Sequence, residues 1–253
     1  MNHSELKKQQ EIQLKMLVDF DAFCKAQGLK YFMIYGTLLG AVRHKGFIPW
    51  DYDIDTAMTR AEYERFNSVK HLLPSHLSIS EVCYSDIDHA GLARIMYHDE
   101  ELGCVHVDIF ILDWQRSGWY AGSMMRRLCR LLHFAKLSKS EKSILIKHFS
   151  GQPLKQAVVQ LSKVLRLLVG GSASAERLIF RLRVSKEPTD KVIMLEDWIQ
   201  LPARNFSETQ LLEFDNHMFY APANVEELLT VMYGNYMEIP PEGHRWLKEE
   251  GLE

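Results

Sequence analysis

Three aspartates at every second position, Asp51, Asp53 and Asp55, are the residues of this sequence best placed to do chemistry. On an extended backbone alternate side chains share one side, with Cα atoms two residues apart separated by about 6.5 Å, so Asp53 and Asp55 can converge on one divalent cation. Ahead of them, Tyr31 to Tyr35 reads as a buried strand and Gly36 as a sharp reversal. Leu38 to His44 then reads as a helix whose first N–H groups are unpaired and favour an anion. Gly36 and Thr37 would hold substrate phosphates while the cation neutralises them. A Gly-Thr turn by itself can serve any strand-to-helix connection; the acidic pair at this spacing gives it weight.

The stretch GTLLGAVRHKGFIPWDYDID, residues 36–55, resembles the signature of the LicD/fukutin family, a branch of the nucleotidyltransferase superfamily with a polymerase-beta-like core. The family pattern carries an acidic residue where this chain has Tyr52, a position of opposite strand parity to Asp53 and Asp55, so the change leaves metal binding intact. The resemblance implies a phosphate contact for Arg43, which otherwise reads with His44 and Lys45 as a solvated basic turn. Trp50 either stacks on a base or packs. Asp51 would orient the neighbouring groups from behind.

A second informative strand is CVHVDIFIL, Cys104 to Leu112. Val105, Val107, Ile109 and Ile111 share the core face, and Asp108 lies on the other with His106 and Phe110. A carboxylate within an apolar strand is costly to bury unless paired or bound to metal, and the plain structural reading is a salt bridge to a neighbouring helix. The resemblance implies the third carboxylate of the nucleotidyltransferase core at Asp108, through the pattern Asp108-Ile109-Phe110-Ile111-Leu112-Asp113. Asp113 reads as a strand-end turn residue. Arg94, in a strand from Leu92 to Tyr97, matches a position the family often holds basic, and is either a phosphate ligand or an ordinary strand charge.

Together these residues suit phosphoryl transfer, which needs acceptor oxygen, phosphorus and leaving oxygen in line and the charge on the phosphoryl oxygens offset. Asp53, Asp55 and Asp108 would bind Mg²⁺, with Mn²⁺ as the alternative ion. A carboxylate beside a cation keeps its charged form, so Asp108 suits a ligand better than a neutral-pH base. The resemblance implies transfer of an alcohol phosphate such as phosphocholine. It implies a CDP-activated donor and, as acceptor, a hydroxyl of a cell-surface glycan (lipopolysaccharide, capsule or teichoic acid) or of its lipid-linked precursor. Two other readings are a metal-dependent glycosyltransferase that holds a nucleotide sugar through the D-x-D pair, and a non-catalytic nucleotide- or glycan-binding module.

The rest of the chain must position these groups. At 253 residues with 47% hydrophobic and 25% charged content, it has ordinary globular composition and can bury a large core. Cys24, Cys83, Cys104 and Cys129 are widely spaced, with no zinc-site pattern, and read as reduced thiols. With no apolar leader at the N-terminus and no stretch near the ~20 residues needed to span a bilayer, the sequence predicts a soluble cytoplasmic protein, peripheral at most to the inner membrane face. Ser4 is the expected cap of a helix running to about Gly28, and Thr59 with Glu62 caps a second helix with Tyr63, Phe66 and Val69 inward. Strands are expected at Leu77 to Tyr84 and Val192 to Leu195, and a helix within Ala221 to Tyr233. The terminal YGNYMEIPPEGHR is similar to a closing element of the same family, with Pro240-Pro241 fixing an extended segment.

Between Arg116 and Lys191 there are 16 Lys and Arg against 4 Asp and Glu, a net of +12 in a chain whose total is −3. Three apolar segments punctuated by basic residues predict a helical subdomain. It either contacts an anionic membrane surface or glycan, or is a solvated face; nucleic acid is not favoured, because no binding motif accompanies the charge. The expected fold is α+β, with a mixed-sheet nucleotidyltransferase core flanked by helices. Residues 1–115 would form the catalytic core, 116–191 the inserted basic helical subdomain, and 192–253 a segment that completes the catalytic domain.

Overall fold

A computed structural model describes residues 2–82, 91–118, 123–136, 151–194 and 199–239. The turn expected at 85–89 and the Pro240-Pro241 segment lie outside the described residues. The fold is α+β, built on a mixed sheet.

Helix α1 (His3–Ala26) is capped by Asn2 rather than Ser4. The Asn2 side chain accepts from the Ser4 and Glu5 amides while the Glu5 carboxylate takes the Asn2 N–H at 2.8 Å, a reciprocal box that Ser4, two residues further in, cannot form. Its buried stripe of Met16, Leu17, Phe20, Phe23 and Cys24 lies in the main core.

The predicted strand at Tyr31 to Tyr35 is only Phe32–Met33 (β1), and the helix begins earlier than its sequence pattern suggests, spanning Tyr35–Arg43 (α2). The chain turns at Tyr35, whose φ of 47° is in the left-handed region that a bulky residue seldom enters. Its ring packs edge-on against Phe110 at 5.0 Å, and its hydroxyl points to Met194 Sδ at 3.5 Å, so tertiary contacts hold the turn.

Strand β2 (Asp55–Thr59) runs into α3 (Arg60–Val69), where Thr59 Oγ1 accepts from the Glu62 amide and Tyr63 and Phe66 are buried, as the capping pattern predicts. Strands β3 (Ser78–Val82), β4 (Leu92–Asp99) and β5 (Gly103–Trp114) follow. The order is β1-β2-β5-β4-β3, with β2 parallel to β5 and the other pairs antiparallel. Beyond Trp114 the chain forms α4 (Ser123–Lys136), α5 (Pro153–Leu168) and α6 (Ser172–Arg183), in the region read as helical. A small apolar cluster of Leu132, Ala135, Ala175 and Ile179 joins α4 to α6, apart from the main core.

The chain then returns to the sheet through β6 (Lys191–Ile193), which pairs with the end of β5, and β7 (Gln200–Pro202). A hairpin that the sequence reading did not include, β8 (Thr209–Phe214) and β9 (His217–Pro222), turns through Asp215 and Asn216, both at positive φ. Helix α7 (Val225–Tyr233) starts at Asn224, whose side chain accepts from the Glu227 amide. Among the described residues no helix is long and apolar enough to cross a membrane.

Asp113 is not a turn residue. It sits within β5, 2% exposed, and accepts two hydrogen bonds from Arg60, at 2.9 Å from Nε and 2.7 Å from Nη2. This fork pins the start of α3 to the central strand. Asp113→Ala, which leaves Arg60 without its carboxylate, is expected to lower stability by about 3 kcal/mol in urea unfolding, whereas the joint change Arg60→Met, Asp113→Leu costs much less. Equal losses in the two would refute a penalty of desolvated, unpaired charge.

Candidate active site

The pairing register sets the site. Asp55 at the start of β2 lies directly beside Asp108 on β5, and Asp108 lies beside Arg94 on β4, so three charged side chains occupy one rung of the sheet. Neighbouring strands are about 4.8 Å apart, close enough for such groups to interact directly. Arg94 Nε donates to Asp108 Oδ1 at 2.8 Å. The structural alternative for Asp108 was an ion pair to a helix; its partner is instead the adjacent strand.

Two residues before this rung, β5 carries His106, with Nε2 3.8 Å from Asp108 Oδ1. Asp53 stands two residues before Asp55, just ahead of β2, so Asp51 and Asp53 lie on a loop rather than on the continuous strand that their spacing suggests. Burial pushes the Asp53 carboxyl above the usual carboxylate range, and the negative charge of Asp108 adds to this, while a hydrogen bond with Asp51 and the nearby His106 oppose it. Asp53 and Asp108 therefore feel one another. His106 belongs to this group by strand parity with Asp108, although the sequence reading gave it no role.

Helix α2 and α1 hold the acidic loop. Thr37, 2% exposed, accepts the Asp55 N–H on its hydroxyl at 2.8 Å, tying the first turn of α2 to the start of β2. The carboxylate of Asp51 packs on Gly36 so closely that a Cβ there would lie 2.5 Å from Asp51 Oδ2. The start of α2 thus meets a carboxylate of the chain itself. From α1, Gln10 Nε2 donates to the Asp51 carbonyl at 2.7 Å and Gln13 Nε2 to the His106 carbonyl at 3.0 Å, so this helix also positions the site.

Arg43, at the end of α2, donates through Nη1 to the carbonyls of Tyr236 at 3.0 Å and Glu238 at 3.4 Å, linking α2 to the C-terminal segment. Trp50 is half-buried, packs on the main core, and meets His44 edge-on at 6.4 Å. The loop between them is clipped by the β8–β9 hairpin: the Asp215 N–H donates to the Lys45 carbonyl at 2.8 Å, and the Asp215 carboxylate accepts from the Phe47 N–H. That carboxylate lies where a Cβ on Gly46 would be.

A cation suits this donor set in kind, since Asp53, Asp55 and Asp108 offer only hard oxygen ligands. Among the described residues, however, no three His, Cys, Asp or Glu side chains gather closely enough to hold an ion as they stand. One oxygen of Asp108 is bonded to Arg94.

A mixed sheet with carboxylates on adjacent parallel strands, entered through a glycine-led helix and an acidic loop, defines a nucleotidyltransferase-type domain. Residues 28–128 match the model of the LicD/FKTN/FKRP nucleotidyltransferase domain, and that region is assigned to this domain family. Over 271 aligned positions, covering 96% of this chain and 95% of the relative, it is 28% identical to the lipopolysaccharide cholinephosphotransferase LicD of Haemophilus influenzae. A 31-residue stretch, 12% of this chain, is 55% identical to the ribitol 5-phosphate transferase FKRP of mouse and of human, of which it covers 6%. The family likeness supports a transferase.

Thr37→Val keeps the shape of the side chain but removes the acceptor of the Asp55 amide. It is expected to cost about 1–3 kcal/mol in thermal or urea unfolding. A loss below about 0.5 kcal/mol would mean that the bond does not hold β2 to α2.

Proposed function

We propose that this protein transfers an alcohol phosphate, such as phosphocholine, from a CDP-activated donor to a hydroxyl of a cell-surface glycan or its lipid-linked precursor, and that it works in the cytoplasm. The observation that carries the reading is the rung on which Asp55 and Asp108 lie side by side, within a chain similar over nearly its whole length to a cholinephosphotransferase. Asp53, Asp55 and Asp108 would hold Mg²⁺, or Mn²⁺ in its place. When bound, the ion offsets charge on the transferring phosphoryl group.

The remaining roles fall to the chain's own groups. Arg94 fixes one oxygen of Asp108 and brings a guanidinium to the rung, where it can face a donor phosphate. Gly36 and Thr37 shape the entry to the acidic loop, with the Asp51 carboxylate seated on Gly36 and the Thr37 hydroxyl fixing the Asp55 backbone. Arg43 and Trp50 border the same loop and are assigned to the donor. The acceptor oxygen forms a bond to phosphorus as the bond to the CMP oxygen breaks, and the residues above hold the three atoms in line. We further assign residues 1–115 and 192–253 to the catalytic domain and 116–191 to a basic helical subdomain, a division supported by the separate apolar cluster of α4 and α6.

Two measurements test this. In a thermal-shift panel with Mg²⁺, one CDP-alcohol at ~100 times its Kd should add about 2.7 kcal/mol, a shift of several degrees, and fail to do so on Asp53→Asn. Stabilisation by nucleotide sugars alone would replace the reading with a glycosyltransferase. Asp53→Asn, Asp55→Asn and Asp108→Asn should each lower turnover by about 100-fold or more while leaving far-UV circular dichroism unchanged. Near-normal turnover in any of them removes that residue from the site.

A further inference from the structure

Helix α5 buries Val159 but carries several of its other apolar residues on the outside. It buries Ser162, whose hydroxyl donates to the Val159 carbonyl at 2.6 Å, and leaves Leu161 at 62%, Val164 at 52%, Leu167 at 81% and Leu168 at 78% exposure. Leu161, Val164 and Leu168 recur at three and four residues and so form one stripe along the helix. The neighbouring α4, which packs against α5, adds Met124 and Leu128 on an exposed face with Arg127 between them. On α6, Arg177 and Arg181 are exposed one turn apart. An apolar patch of this kind on a soluble fold marks a place where something docks.

We infer that α4, α5 and α6 form a docking face for an anionic lipid bilayer. Charge identifies the occupant. Residues 116–191 carry a net of +12, so a second copy of this region is repelled, whereas a leaflet of anionic headgroups is attracted. Side-chain chemistry agrees: the stripe of α5 is aliphatic, Leu161, Val164, Leu167 and Leu168, and lies beside basic side chains, the pairing of an interfacial helix. The basic side chains would meet headgroup phosphates while the stripe of α5 sinks to the acyl boundary, with no segment crossing the membrane. This inference stands on the helical region alone, and loss of the carboxylate assignment would leave it untouched.

The test is sedimentation of the 253-residue chain with phosphatidylcholine vesicles, with and without phosphatidylglycerol. Wild type is expected to partition about 10-fold or more in favour of the anionic vesicles and to be released by salt. The pair Leu161→Ser, Leu168→Ser should reduce that partition about 10-fold, and Arg177→Glu, Arg181→Glu should reduce it and flatten its salt dependence. All four positions are at least partly solvent-facing, and unchanged circular dichroism and melting temperature would confirm that the variants fold. Equal partition onto neutral and anionic vesicles, or full binding by the Leu161→Ser, Leu168→Ser protein, overturns the proposal. So does a dimer in sedimentation velocity that this pair converts to monomer without any vesicle binding, which would make the face a contact between copies.

Discussion

The parallel pairing of β2 with β5 is the constraint on which the rest of the structure depends. Two strands that run the same way cannot be joined by a tight turn, so the chain must leave the end of β2, form α3, β3 and β4, and re-enter beside its starting point. The result places two acidic residues 53 positions apart, Asp55 and Asp108, on the same rung. Like charges so close oppose folding unless a positive group joins them. Arg94, brought alongside by the antiparallel return through β4, is such a group.

The acidic loop before β2 is held in another way. It has no ladder of its own, and its backbone is fixed from outside by glutamines of α1 and by the Thr37 hydroxyl of α2. Side-chain amides satisfy peptide carbonyls that would otherwise be drawn to water, and they leave the carboxylates of the loop turned toward one another. The raised proton affinity of Asp53 follows from this placement: the scaffold keeps an acidic group where burial and a second negative charge disfavour its ionisation.

Features governed by local periodicity were legible in the sequence. The inward stripe of α1, the Thr59 cap of α3 and the alternation along β5 need only neighbours within one or two turns to be read, and Asp108 stood out because it interrupts an apolar strand. Features decided by distant partners were not. Asp113 looks like a strand-end residue until Arg60 is beside it, and the early start of α2 depends on Tyr35 being held at positive φ by Phe110, 75 residues away in sequence. The β8–β9 hairpin escaped because its strands alternate poorly, with Leu211 and Met218 left exposed; its Asp-Asn turn was the available signal. His106 could have been drawn into the site from strand parity alone, but nothing local separates it from an ordinary surface histidine.

The clip between Asp215 and the Lys45–Phe47 loop has a consequence for biosynthesis. The loop before β2 is made early, yet the group that fastens the segment leading to it is translated about 170 residues later, after the whole basic helical region. A nascent chain can form α1 and the central strands without it, but the segment leading to the acidic residues lacks its restraint until the hairpin arrives. Chains interrupted before residue 215 would therefore be made without this restraint on the loop, so that this segment is fastened only after the helical region that separates it from the hairpin in sequence has been made.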